Sequence, residues 1–189
     1  MSELCLRNRQ RVRMVDLSSL RRIARTLLVD LIGVEDYELG VHLVAAPEMA
    51  RINRQFLHHE GSTDVIAFGY TPDGLTASSF YGEIFICLDD AVTQARQFHT
   101  TWESELVRYL VHGVLHLLGH DDLRPRARRV MKREEARLFR ALEQRFTLRQ
   151  LCQVSPGASA GIGNLKSTVP DTRRRFPLSI HAHKPRVRP

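Results

Sequence analysis

Apolar positions in the first half of the chain switch repeatedly between two periods. Glu3–Arg9 alternates loosely and predicts a first strand, while Leu17, Leu20, Ile23, Ala24, Leu27, Leu28 and Leu31 recur at helical spacing behind a cap at Asp16 or Ser18. Leu39–Ala45 is a short strand stopped by Pro47, and Glu48–Leu57 returns to helical spacing through Met49, Ile52 and Phe56. The polar stretch His58–Ser62 predicts a loop, Val65–Phe68 a strand, Thr71–Ser79 a turn and Tyr81–Leu88 another strand. After Asp89 the spacing stays helical: Ala91–His99, Glu103–Leu118 broken at Gly119, then about Arg124–Arg145. Strands with a few helices, followed by a run of helices, predict an α+β domain in which helices pack on a small mixed sheet.

This pattern stops near residue 150. Ser155–Pro189 holds five of the eight prolines and little apolar periodicity, so the expected organisation is a folded domain over 1–150 and a basic, disordered tail over 151–189. The net charge of +7 mostly belongs to that tail, where seven Lys or Arg face one acid, Asp171; the first 150 residues are nearly balanced. Global charge is therefore weak evidence for a nucleic-acid partner, and the tail fits loose RNA affinity no better than it fits solubility. No apolar run approaches the roughly 20 residues of a bilayer span, and the N-terminus reaches Glu3, Arg7 and Arg9 without a signal-like stretch. No membrane partner is expected, and the expected location is the cytoplasm. Three scattered cysteines, Cys5, Cys87 and Cys152, suit a reducing compartment and supply no thiolate metal site.

The chemistry concentrates in His112-Gly113-Val114-Leu115-His116-Leu117-Leu118-Gly119-His120-Asp121-Asp122. Histidines four apart share one helix face, so His112 and His116 can present imidazoles to one cation. Gly119 can end the helix in a left-handed conformation and turn the chain back, offering Asp122, or alternatively His120, as a third ligand. Three protein ligands and an open position describe a catalytic zinc, one ion per chain, rather than a structural one closed by four. The bland reading is a pair of hydrogen-bonded core histidines, but rings flanked by Val111, Val114, Leu115 and Leu117 are hard to satisfy without a cation or specific partners. The spacing approaches the metzincin signature H-E-x-x-H-x-x-G-x-x-H, yet Gly113 stands where the protease carries its glutamate and Asp122 where it carries its third histidine. Lacking that general base, a metalloprotease is a poor reading.

The same run resembles the H-G-x-L-H-L-x-G-Y-D-H motif of the YbeY family of bacterial endoribonucleases. Asn53-Arg54-Gln55-Phe56, Thr63-Asp64-Val65-Ile66-Ala67-Phe68 and Gly82-Glu83-Ile84-Phe85-Ile86 are similar to further family segments, in order, across about residues 40–145. The resemblance implies an α+β fold with a metzincin-like zinc-site helix. It implies a metal-dependent endoribonuclease specific for single-stranded RNA, acting in maturation of the small-subunit ribosomal RNA 3′ end and in ribosome quality control. The implied partners are single-stranded RNA, ribosomal RNA and the small ribosomal subunit, with DNA not expected. Departures from the family are Asp122 in place of the last metal histidine, Leu57 in place of a common basic residue, and Ser62 in place of a proline.

Phosphodiester cleavage needs a cation to balance charge on the phosphorus, and Arg54 is the candidate, with an exposed helix arginine as its bland alternative. Arg124, Arg128 and Lys132, with Arg126, Arg129 and Arg133, follow the motif on a helix that either tracks an RNA backbone or is merely solvated. Asp64 either orients a ligand histidine or caps the turn before Val65. The competing functional reading is a non-catalytic, zinc-containing ribosome-assembly factor.

Overall fold

The computed structural model describes residues 2–34, 36–70, 79–152 and 178–182. Strand β1 (Glu3–Asn8) leads to helix α1 (Leu17–Arg25), whose N-cap Asp16 accepts from the Ser18 N–H at 2.9 Å. The helix widens into a π-type stretch, Thr26–Ile32, and stops at Gly33. Strand β2 (Asp36–Val44) runs into α2 (Ala46–Leu57), with Pro47 in the first turn, where its missing N–H costs nothing. Then come β3 (Val65–Tyr70), β4 (Ser79–Cys87), α3 (Leu88–Phe98), α4 (Trp102–Leu117), α5 (Pro125–Arg145) and a 3₁₀ turn, Leu148–Cys152. The predicted turn at 71–78 lies outside the described residues.

The sheet has the order β1-β2-β4-β3-β5. β1, β2 and β4 are mutually parallel, and β3 runs antiparallel to β4. The strand β5 is Leu178–Ala182, which pairs antiparallel with β3 although it lies in the 151–189 segment expected to lack structure. Apolar alternation on the strands splits the core in two. Leu39, Val41, Leu43, Val65, Ala67, Ile84 and Ile86 meet α1, α4 and α5 on one face. Val44, Ile66, Phe68, Phe85 and Cys87 meet Met49 and Ile52 of α2 on the other.

Helix α4 is the element that matters for chemistry. Thr101 caps it, accepting from the Ser104 N–H at 3.2 Å, and twelve of its sixteen residues are buried. It lies against β4 because residue 113 has no side chain: a Cβ there would meet Ile84 Cγ2 at 2.8 Å. Among the described residues no helix is long and apolar enough to cross a membrane, and Cys5, Cys87 and Cys152 are all free thiols.

Candidate metal centre

Helix α4 ends as its sequence predicts. Gly119 adopts φ +85°, a region that favours glycine, and the His120 N–H returns to the Leu115 carbonyl at 3.0 Å. The reversal carries 120–124 back over the last helical turn and sets Asp122 beside the two histidines. Candidate ligand atoms of His112, His116 and Asp122 all lie within 4.8 Å of one another, with both histidines buried. His120 is not in that cluster; its backbone carbonyl meets His116 Nδ1 at 3.0 Å instead.

Proton bookkeeping shows what this arrangement requires. His112 Nδ1 is 3.0 Å from Glu135 Oε2, His116 Nδ1 is 3.0 Å from the His120 oxygen, and the two Nε2 atoms are 3.0 Å apart. Each contact joins two electronegative atoms, so each needs a proton or a cation between them. Two neutral imidazoles bring one N–H apiece, enough for two contacts. With both Nδ1 protons donated to oxygen, the Nε2 lone pairs converge and only an added positive charge reconciles them. A carboxylate alongside makes a metal ion the suitable one, because two nitrogens bound at about 2.0–2.1 Å to a tetrahedral ion lie roughly 3.3 Å apart. The donor set therefore fits a divalent cation.

Glu135 is the residue that sequence reasoning missed. It is 2% exposed and sits on α5, 23 residues beyond His112, in the buried stripe of Met131, Leu138, Phe139 and Leu142. A carboxylate inside an apolar helical stripe was the available signal. Its other oxygen is 3.7 Å from Arg108 NH1.

The remaining candidates lie in different settings. Asp64 is buried and its Oδ1 accepts from the Val65 N–H at 2.9 Å and the Thr63 hydroxyl at 3.2 Å, the geometry of a cap on the turn into β3. Arg54 is 65% exposed and pairs with Glu60 at 3.2 Å. Arg128 donates from Nε to the Asp122 carbonyl at 2.7 Å, which ties the loop holding Asp122 to α5. Arg124 and Lys132 are exposed near it, as are Arg126, Arg129 and Arg133. Hydrogen bonding to Arg137, with the nearby charge of His120, holds the Glu134 carboxyl below the usual range.

Gly113 also bears on the comparison with the metzincin signature. A Cβ at residue 113 would meet Ile84 Cγ2 at 2.8 Å, so a glutamate at the protease position would require Ile84 of the sheet to shift.

The family model for endoribonuclease YbeY matches residues 6–143. An endoribonuclease YbeY from Myxococcus xanthus is 43% identical over 115 residues, covering 59% of this chain and 39% of that protein. One from Anaeromyxobacter dehalogenans is 41% identical, covering 65% of this chain and 62% of its own length, and one from Salinibacter ruber is 33% identical, covering 69% and 85%. The chain thus spans less than two thirds of the first two relatives. A Thermotoga maritima protein solved in solution, 24% identical, superposes with a TM-score of 0.58 over 83% of this chain and all of that one, and so shares the fold.

Proposed function

The chain belongs to the YbeY family, and from that premise we propose that it is a metal-dependent endoribonuclease cutting single-stranded RNA in maturation of the small-subunit ribosomal RNA 3′ end and in ribosome quality control. The observation that carries the reading is the convergence of His112, His116 and Asp122, whose three close histidine contacts have only two imidazole protons to share. These residues would hold one zinc ion. When bound, the ion supplies a Lewis acid and lowers the pKa of water at its open position to about 7.

The chain's own residues do the rest. His112 and His116 are fixed in orientation by acceptors behind them, so both direct Nε2 forward. Asp122 is brought in by Gly119 and held by Arg128 through its backbone. Exposed bases at Arg124, Arg128 and Lys132 stand at the start of α5, immediately after Asp122, where an RNA backbone entering the site can exchange counterions for them. Arg54 is the cation assigned to the phosphoryl charge, and its exposure leaves it free to swing from Glu60 to a phosphate. Asp64 acts as a turn cap here, with any orienting role passing through β3. Free thiols and an RNA substrate support a cytoplasmic setting with the small ribosomal subunit as partner.

The test compares zinc-loaded wild type, His116→Ala and Asp122→Ala on single-stranded RNA, double-stranded RNA and a peptide, with bound metal measured in parallel. Cleavage of single strands alone, lost together with metal in both variants, is expected. Metal retained with no substrate cut would move the protein to a non-catalytic assembly factor.

A further inference from the structure

We propose that Glu135, backed by Arg108, is the positioning residue that fixes His112 as a ligand and sets the affinity of the site for its cation. This rests on the metal reading above and goes beyond it, since neither residue belongs to the ligand motif.

The two candidate histidine ligands are supported unequally. Behind His116 is a backbone carbonyl, which carries no formal charge; behind His112 is a carboxylate at 3.0 Å. A carboxylate accepting the Nδ1 proton locks His112 in the tautomer whose Nε2 lone pair points at the cluster, and raises the basicity of that nitrogen.

A buried carboxylate needs its own partner, and α4 provides one from the same face as the histidines. Arg108, four residues before His112, places NH1 at 3.7 Å from Glu135 and Nε at 3.7 Å from Glu105. Packing fixes its guanidinium, which lies 4.1 Å from the centroid of Phe139, itself one helical turn beyond Glu135. Glu105 in turn accepts from the Thr100 hydroxyl at 2.8 Å. The formal charges of Glu105, Arg108 and Glu135 sum to one negative, with Glu135 directly behind His112. Such a buried excess is unfavourable alone and favourable beside a divalent cation.

The experiment titrates metal-stripped wild type, Glu135→Gln and Glu135→Asp with zinc against a competing chelator and records thermal melts of the metal-free proteins. Glutamine keeps the shape and an acceptor but removes the charge. Its metal-free melting temperature should stay within a few degrees of wild type while zinc binds about 10- to 100-fold more weakly, with part of the loss recovered by aspartate. Wild-type zinc affinity in Glu135→Gln would overturn the proposal while leaving the metal site standing; a wild type that binds no zinc would instead remove the reading beneath it. Histidine-ring nitrogen spectra of the wild type decide independently of any variant. A protonated Nδ1 on His112, shifted further downfield than that of His116, with zinc on Nε2, is expected, and zinc on His112 Nδ1 would contradict it.

Discussion

Two pairs of a buried histidine with a glutamate lie on opposite sides of the sheet. On the α4 side His112 meets Glu135 at 3.0 Å; on the other face His42 of β2 meets Glu83 of β4 at 3.1 Å. Both histidines are 4% exposed, so their own burial and the contact distance do not distinguish them, although Glu135 is buried and Glu83 only partly so. What differs is the far side of each ring. The second nitrogen of His112 faces His116 with Asp122 alongside, whereas His42 Nδ1 has no hydrogen-bond partner among the described residues and the ring stacks on Phe85 at 4.5 Å. Glu83 spends its other oxygen on the Tyr70 hydroxyl at 2.9 Å rather than on an arginine. A histidine–carboxylate pair is therefore only half of a metal centre. Convergence of further donors on its free side is the other half, and helical i, i+4 spacing delivers it where strand geometry does not.

The sharpest way to break this contrast is to delete one ring on each side. His116→Ala should abolish measurable zinc binding, a loss beyond the roughly 100-fold expected for an outer partner, while His42→Ala should leave zinc affinity unchanged and cost roughly 1–3 kcal/mol of stability. Chelator competition and denaturant unfolding read the two effects, and weakened zinc binding in His42→Ala would refute the separation.

Next in size is Gly113→Glu, which restores the protease-like residue. Its Cβ would meet Ile84 Cγ2 at 2.8 Å and its carboxylate would be buried, so about 3 kcal/mol or more of stability should be lost with no peptide hydrolysis gained. A stable, peptide-cutting variant would overturn the packing argument.

A smaller effect sharpens the comparison through pH. Burial alone would raise the Glu83 carboxyl, but its contacts with His42 and Tyr70 and the charge of Arg7 outweigh that and hold it below its ordinary range. A carboxyl depressed on folding stabilises the protein above its unfolded pKa, about 4.3 for glutamate, and that contribution disappears as pH falls through the lower folded value. Glu83→Gln should therefore be less stable than wild type at pH 6 and converge with it in acid, as urea midpoints at the two pH values would reveal. An unchanged difference across that range would contradict the assignment.

The smallest effect expected on stability is that of Arg54→Ala, within about 0.5 kcal/mol, because its ion pair with Glu60 is solvent-exposed. Any larger consequence should appear in RNA cleavage rate alone.

How much of this was legible in the sequence follows the same contrast. Helix α4 and the His112/His116 face could be read directly because ligand spacing and helical period are both local, and Gly119 signalled the turn that brings Asp122 back. The strands β1 to β4 were readable from alternation, with ends shifted by a few residues where capping decides the boundary. Glu135 was not, because its pairing with His112 depends on how α5 packs on α4, a contact no local period encodes. The β5 pairing was hidden for a similar reason: Leu178–Ala182 is a short alternating stretch in a proline-rich setting, and only the open edge of β3 selects it. The sequence offered Arg128 as either a phosphate contact or part of a solvated helix face, and its bond to the Asp122 carbonyl emerged only from the fold.

The central claim is that His112, His116 and Asp122 together hold one divalent cation. Titrating metal-stripped full-length protein with cobalt(II), followed by visible absorption and then by zinc displacement, tests it directly. One equivalent bound with the intense bands of a four-coordinate site, lost in both His116→Ala and Asp122→Ala, is the predicted result. Weak, multi-site binding that survives those substitutions would contradict it, and would assign the extra positive charge between the histidines to a proton.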